Sequence, residues 1–406
     1  MAGSISQSRG DRLQATHGVD GIRAIAKRRL PRLAFDYIDG GADDEITLRA
    51  NRRVWQEEIV LRPRFLQGVE ERNQSKTIFG TSLSTPVIFG PAGLLRIASR
   101  DGELAAACAA ASEGSVYVLS SNSSVSLEEV AASVPGDRLW FQLYLWRDRA
   151  RNAELLERAA ANGCETLVVT VDVPVAGSRS RDLRNGFTIP LRPNARMAAD
   201  LARHPGWIQD YLARGPITFA NFTEMGQGRQ PTQLFKYINT ELAHPGASLD
   251  DLRWLRGTWS GKLVVKGTMT PEDAEDAVAC GVDGICVSNH GGRQIDGVAA
   301  TGAVLRSIVE QVDGRAAVFI DGGIRRGTEV LKALALGADA VFIGRPYVYG
   351  LGAGGEEGAA RVLQIYKQEI DLALALIGCD DVAKVDFERV ETHPRWGLAK
   401  GRPQSV

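Results

Sequence analysis

Short apolar runs that stop abruptly at polar residues or glycines recur along the chain, at 86–91, 116–121, 140–144, 166–172, 262–267, 284–289, 317–323 and 340–345. A strand buried on both faces of a parallel sheet reads this way. Alanine-rich amphipathic stretches follow most of them, as at 102–112, 149–162, 271–279 and 327–336, so the pattern is strand then helix, repeated. The runs predict an α/β protein built as a closed (β/α)8 TIM barrel rather than an open doubly wound sheet. A dinucleotide-binding sheet would carry Gly-x-Gly-x-x-Gly after its first strand, and Gly90-Pro91-Ala92-Gly93 does not fit that spacing.

Two parts depart from the repeat. Residues 1–85 predict an N-terminal helical segment, with short helices at 21–28 and 33–39, that caps the barrel of residues 86–380. Inside the barrel a long loop after strand four, 185–247, carries Trp207, Ile208, Tyr211, Leu212 and Phe219 as a short apolar patch among prolines, glycines and arginines. Loops of that length are uncommon in compact domains and serve as lids or interaction surfaces. Residues 248–259 supply the missing barrel helix, and residues 381–406 form a C-terminal tail.

Composition narrows function more than fold. The 406 residues, 44% hydrophobic and 24% charged with a formal net charge of -1, predict an ordinary soluble protein with no general attraction to nucleic acid. Cys108, Cys164, Cys280, Cys286 and Cys379 lack C-x-x-C spacing and sit mostly in apolar surroundings, as reduced thiols of a cytoplasmic protein do. The polar start of the chain predicts no signal peptide, and no apolar stretch approaches the length of a spanning helix. His17, His204, His244 and His393 lie away from the strand ends, and no His-Glu-x-x-His motif occurs, so no metal site is expected.

The candidate chemistry gathers where the strands end, which in such barrels is where active sites form. After the sixth strand, Ser288-Asn289-His290-Gly291-Gly292-Arg293-Gln294-Ile295-Asp296 sets a histidine and an arginine three residues apart. That layout is a base beside an anion clamp, or else a helix start capped by Asn289 with a solvated histidine. Asp172, at the end of strand four, could support a protonated His290 or turn the chain ahead of Pro174. The last two strands end in Asp321-Gly322-Gly323-Ile324-Arg325-Arg326-Gly327 and Ile343-Gly344-Arg345. Glycine amides, a helix start and arginines there make a phosphate site, or cap helices beside solvated arginines. No acidic cluster for magnesium accompanies them, so a phosphorylated cofactor or substrate is expected, and the residues alone leave FMN and a sugar phosphate both open.

Phe35-Asp36-Tyr37-Ile38-Asp39-Gly40-Gly41-Ala42, Phe141-Gln142-Leu143-Tyr144, Thr170-Val171-Asp172, Val265-Lys266-Gly267 and the two glycine-rich strand ends resemble the FMN-dependent (S)-2-hydroxy acid dehydrogenase/oxidase family. That family includes glycolate oxidase, flavin-type lactate dehydrogenase and mandelate dehydrogenase. The resemblance runs in order from about Gly21 to about Cys379. It implies FMN as cofactor and oxidation of an (S)-2-hydroxy acid to the 2-oxo acid. It also implies His290 as the base, taking a proton from the hydroxyl or the α-carbon, with Asp172 as its partner. Arg179 and Arg293 are implied to hold the substrate carboxylate, and Tyr37 and Tyr144 to hydrogen-bond the substrate. Pro91, Ala92, Gly93, Ser120, Gln142, Thr170 and Ser288 are implied flavin-ring contacts, and Lys266 a cation at the flavin N1/O2 edge. Asp321 would hold the ribityl chain, and Gly323, Arg325, Gly344 and Arg345 the phosphate.

Gly93, where many oxidases of the family carry alanine, and Asn122, tryptophan in plant-type glycolate oxidases, imply a dehydrogenase of a bulky, mandelate-like acid ahead of lactate. The long loop, through His204-Pro205-Gly206-Trp207 and Ala220-Asn221-Phe222, is similar to that of bacterial mandelate and lactate dehydrogenases. This implies a quinone acceptor and peripheral contact with the inner face of the cell membrane, and the family implies a homotetramer. Two other readings are an O2-dependent oxidase releasing hydrogen peroxide and a phosphate-ligand-binding barrel without redox activity.

Overall fold

The computed structural model describes residues 13–186, 194–222 and 244–393. Ahead of the barrel come three helices, α1 (Val19–Arg29), α2 (Arg32–Asp39) and α3 (Ile46–Arg53), then short strands β1 (Ile59–Leu61), β2 (Lys76–Ile78) and β3 (Thr81–Leu83). The two helices expected from the sequence are α1 and α2, whereas α3 and the β2–β3 hairpin carry too few apolar positions to have stood out.

The barrel is closed by parallel strands β4 (Val87–Phe89), β5 (Tyr117–Ser120), β6 (Leu139–Tyr144), β7 (Thr166–Thr170), β8 (Lys262–Thr268), β9 (Gly284–Val287), β10 (Ala317–Ile320) and β11 (Ala340–Ile343). Each pairs with its neighbours in chain order, and β11 returns to β4 through Val341 beside Val87. All eight expected strands are present. Several stop short of the apolar-to-polar run that announced them, because the residues beyond Thr170, Val287 and Ile320 leave the ladder and turn into the barrel mouth.

Around the barrel lie α4 (Gly102–Ser112), α5 (Leu127–Ala131), α6 (Arg149–Ala161), α7 (Ser180–Asn185), α8 (Ala195–Leu201), α9 (Pro205–Ala213), α10 (Leu249–Thr258), α11 (Pro271–Ala279), α12 (Thr301–Val312), α13 (Gly327–Ala335) and α14 (Arg345–Ile377). Local chemistry starts several of them. Ser248 and Asp251 form a capping box on α10, and Thr270 caps α11 ahead of Pro271 in its first turn. Val390–Thr392, strand β12, pairs antiparallel with β1.

Period-two alternation sorts the strand residues into two cores. Leu119, Phe141, Val169, Val265, Ile285 and Val341 pack outward beneath the helices. Val118, Trp140, Val168, Val264, Phe319 and Phe342 fill the barrel interior. The β2–β3 hairpin plugs the N-terminal end: Ile78 and Leu83 join the interior, and Phe79 meets Trp140 and Phe319 at centroid distances of 5.7 and 5.8 Å. One step further toward the C-terminal end the same inward positions become polar. Ser120, Gln142, Thr170, Lys266 and Ser288 are all buried.

The described part of the long loop turns inward. Trp207 is buried, donates from Nε1 to the Ile97 carbonyl at 2.8 Å and stacks on Tyr211, leaving Leu212 of the expected apolar patch 70% exposed. The five cysteines are free thiols, four of them buried. Among the described residues no helix is long and apolar enough to cross a membrane and no cluster of possible metal ligands occurs.

Candidate active site

The polar ring at the strand ends is cross-linked from within. Ser120 Oγ donates to Gln142 Oε1 at 2.8 Å, and Lys266 Nζ donates to Ser288 Oγ at 2.9 Å and reaches Asp321 Oδ2 at 3.0 Å. Burial opposes the Lys266 charge, but the Asp321 and Asp172 carboxylates outweigh it and hold the ammonium well above its ordinary range. A fixed cation therefore sits on the floor of the mouth.

Above this ring is a second inward set: Tyr144, Asp172 and His290, each two residues beyond Gln142, Thr170 and Ser288. His290 Nδ1 lies 3.0 Å from Asp172 Oδ1, with side-chain exposures of 19% and 13%, so the histidine is paired rather than solvated. Burial pushes the His290 imidazole below its ordinary value even though Asp172 favours the cation. Burial opposes charge on Asp172, but His290 and Lys266 overcome it and keep the carboxyl below the usual range. The pair at rest is thus a neutral base hydrogen-bonded to a carboxylate, able to take a proton and have the resulting cation stabilised. Burial pushes the Tyr144 phenol up to about 12, so it stays a donor, and its ring lies 6.4 Å from that of His290.

The backbone here is constrained. His290 has φ 56, followed by Gly291 at 64 and Gly292 at 72, three successive left-handed residues. A non-glycine residue in that region costs about 1 kcal/mol and persists where surroundings enforce it. Asn289 provides part of that enforcement: it exchanges amide hydrogen bonds with Asn51 of α3 at 2.8 and 3.0 Å and accepts from Gly292 N at 3.1 Å. A Cβ on Gly292 would come within 2.7 Å of Leu48 N, so the turn sits directly on α3.

A cavity of about 480 Å³ opens over these residues. Tyr37, Tyr144, Arg179, Lys266, His290 and Arg293 line it, as do Pro91, Ala92, Gly93, Asp321, Gly323, Arg325, Gly344 and Arg345. Ser120, Gln142, Thr170 and Ser288 are outside that lining, one layer in, and Asp172 is outside it too, joined to it through His290. Arg293 Nη1 donates to the Tyr37 and Gly40 carbonyls at 2.8 and 3.0 Å, and its guanidinium carbon sits 5.2 Å from the Tyr37 ring centroid. Burial, then the charges of Arg179 and Arg345, disfavour the Arg293 cation. Two close guanidinium groups in a buried pocket call for an anion between them.

Gln294 and Arg181 were not singled out in the sequence, and both hold the clamp together. Gln294 Nε2 donates to the Asp172 and Val175 carbonyls at 3.0 Å each, and its Oε1 accepts from Gly177 N at 3.3 Å. Arg181 reaches Asp39 at 2.9 Å and Glu45 at 2.6 Å, joining the segment of Arg179 to the helix of Tyr37. Their signal was proximity to motif residues on either side, which spacing alone does not rank.

At the phosphate end the two loops differ. The amides of Arg325 and Arg326 donate to Glu329, and that of Gly327 to Glu369, so the start of α13 is occupied by carboxylates. The start of α14 has no side-chain cap, and a Cβ on its N-cap Gly344 would meet nothing within 4 Å. The open helix start is therefore that of α14, where an anion gains from the free amides and the dipole. Arg325 is 6% exposed rather than solvated. Arg345 spends Nε, Nη1 and Nη2 on the carbonyls of Ile38, Gly291 and Gly40 at 3.1, 2.9 and 2.7 Å, bracing the His290 turn.

Buried polar atoms without partners among the described residues concentrate at this mouth: Gln142 Nε2, Thr170 Oγ1, Arg179 Nε, Asp321 Oδ1 and Arg325 Nε. Such groups are costly unless a ligand pairs with them. Together with the open ground at Gly344 they fit a flat heterocycle on a polyol phosphate, as in FMN. A family model described as FMN-dependent dehydrogenase matches residues 26–392.

The chain belongs to the FMN-dependent dehydrogenase family.

As a family member it is 41% identical over 367 residues to a putative L-lactate dehydrogenase of Mycobacterium tuberculosis, covering 90% of this chain and 87% of that one. An L-lactate dehydrogenase of Xanthomonas campestris is 43% identical, at 89% and 94% coverage. A crystal structure of the monotopic membrane protein (S)-mandelate dehydrogenase superposes with a TM-score of 0.89 at 38% identity, covering 93% of this chain and 100% of that one. A mandelate oxidase structure gives 0.79 at 37% identity, with coverage of 93% and 98%. This FMN-dependent dehydrogenase therefore oxidises a 2-hydroxy acid, and the reading as a ligand-binding barrel without redox activity is set aside.

Proposed function

We propose that this dehydrogenase acts on bulky (S)-2-hydroxy acids, mandelate-like in size, ahead of lactate. The observation that carries the size preference is the apolar part of the cavity lining, which includes Leu94, Val175, Leu183 and Phe219. A methyl group alone would leave such a lining unfilled, and apolar contact with a ring would use it. Gly93 contributes in a different way from the one its size suggested. A Cβ there would meet the Asn122 carbonyl at 2.7 Å, so glycine lets the β5 loop close in and does not itself enlarge the cavity.

In this reading Arg179 and Arg293 grip the carboxylate, and Tyr37 and Tyr144 hydrogen-bond the substrate. Bound FMN supplies the two-electron acceptor. Ser120, Gln142, Thr170, Lys266 and Ser288 would hold its ring, with the Pro91 to Gly93 backbone. Asp321 would hold its ribityl chain, and Gly323, Arg325, Gly344 and Arg345 its phosphate. His290 receives the substrate proton on Nε2, since Nδ1 is committed to Asp172. The Lys266 cation balances negative charge on the floor of the site. The binding arginines position the α-carbon and leave the chemistry to the histidine.

Steady-state kcat/KM should favour (S)-mandelate over (S)-lactate by roughly tenfold or more, the scale on which an apolar pocket discriminates. A ratio in favour of lactate overturns the size preference. The electron acceptor in this reading is a quinone, reached at the membrane surface by peripheral contact. The likeness to mandelate oxidase favours O2 as a second reading, and peroxide formation under air at the turnover rate would establish it. A homotetramer accords with four exposed apolar side chains, Phe65, Leu66, Leu372 and Leu376, the first two beside the end of α14, where Arg64 N donates to Ile377 O. Light scattering of the holoprotein tests it.

A further inference from the structure

Four barrel strands end on one plan. β5, β6, β7 and β9 each place a buried polar residue inward at the edge of the sheet, namely Ser120, Gln142, Thr170 and Ser288. Each then carries a second polar residue two positions on: Asn122, Tyr144, Asp172 and His290. Past the strand ends the chain turns, as where Ser123 N donates to Ser120 O, and Asn122, Tyr144 and His290 all line the cavity, with Asp172 bonded to His290, so the second set forms the next layer of the barrel mouth. Three members of that layer have work in the proposed reaction. Asn122 has none.

Its setting is built. Asn122 lines the cavity; its N–H donates to Ser120 Oγ at 3.2 Å, and its carbonyl accepts from Leu94 N at 3.2 Å. A Cβ on Gly93 would lie 3.2 Å from the Asn122 Cβ, so the residue is packed from that side as well. Its Oδ1 is buried without a hydrogen-bond partner among the described residues. An amide fixed in this way is unfavourable until something pairs with it.

The groups shared by every 2-hydroxy acid are already served in the proposed site, the carboxylate by Arg179 and Arg293, the hydroxyl by His290 and the tyrosines. What is left for an amide in the same layer is the side chain of the acid. We infer that Asn122 reads a neutral hydrogen-bonding group, a hydroxyl or a carboxamide, carried on the side chain of the 2-hydroxy acid. The amide can donate or accept, which suits both groups, and the Arg179 and Arg293 guanidinium groups of the cavity are in the proposed site already taken by the acid's own carboxylate. This inference rests on the 2-hydroxy acid reading and sharpens it: the substrate is large and also polar at one point.

The test uses the FMN-loaded enzyme and two matched pairs, (S)-4-hydroxymandelate with (S)-mandelate and (S)-glycerate with (S)-lactate. Within each pair only a side-chain hydroxyl differs. The wild type should prefer the hydroxylated member of at least one pair by roughly tenfold in kcat/KM, the scale of a hydrogen bond to a buried group. Asn122→Leu, close in volume and unable to pair, should bring that ratio to about one. Ratios at or below one in both pairs for the wild type would overturn the inference without recourse to any variant. An Asn122→Leu enzyme that loses all four acids equally and shows a shifted flavin absorption band would also overturn it, placing the amide against the cofactor instead. Failure of all four acids to reduce the flavin would overturn the substrate reading itself, and this inference with it.

Discussion

The two ends of the same barrel are built on opposite terms. At the N-terminal end the inward positions are Val118, Trp140, Val168 and Phe319, closed off by Ile78, Phe79 and Leu83 of the hairpin. At the C-terminal end the same strands present Gln142, Thr170 and Asp321, each with a buried polar atom that finds no partner among the described residues. The first end gains from burial and holds the fold, while the second gives up stability so that a ligand can complete it. His290 shows the contrast in one residue, being left-handed, half-buried and, through burial, harder to protonate even beside a carboxylate.

If that division is right, a change at one end should leave the other's property intact. The largest effect is expected at the mouth: His290→Gln should lower turnover by about 10³- to 10⁴-fold, the range for removing a general base, while flavin absorbance and melting temperature stay near wild type. Next, Leu83→Ala in the plug should cost about 2–5 kcal/mol in urea unfolding, with kcat per FMN within about twofold of wild type, as a site remote from the chemistry allows. A large fall in kcat there would show that the ends are coupled.

Asp172→Asn should reduce kcat by about 100-fold and also shift the pH profile. In the wild type the active base is the neutral imidazole, whose protonation burial opposes, so the acid limb of kcat/KM should lie below the ordinary value of about 6.5. Asp172 favours the imidazolium. Removing its charge lowers the His290 pKa further, and the limb should move to still lower pH. A limb that moves upward would mean that the carboxylate plays some other part. The smallest effect is expected from Arg181→Ala, which loosens the segment of Arg179 from α2. It should raise KM roughly fivefold, in keeping with partly exposed ion pairs, with flavin content unchanged.

Much of this was legible because parallel strands announce themselves. Gly284-Ile285-Cys286-Val287 has to be apolar on both faces, and the change to Ser288 and His290 marks where it leaves the sheet. The β2–β3 hairpin was not legible, since strands of three residues such as Lys76–Ile78 carry too few positions for periodicity to register. At the site, the residues bearing distinctive chemistry stood out: the histidine, the arginines and the glycine-rich ends. The positioning residues did not. Gln294 and Asn51 are ordinary polar side chains whose partners, Asp172 O and Asn289, lie more than a hundred positions away in the chain. The occupied start of α13 was also hidden, because the carboxylate on Gly327 N comes from Glu369 in another helix.

The central claim is that a neutral His290, backed by Asp172, takes the proton when a 2-hydroxy acid is oxidised over FMN. The most direct measurement is the rate of flavin bleaching on anaerobic mixing of (S)-mandelate with wild-type and His290→Gln holoprotein. The account predicts rapid bleaching of the wild type and a variant that keeps its flavin yet bleaches at least about 10³-fold more slowly. Equal rates in the two proteins would contradict it.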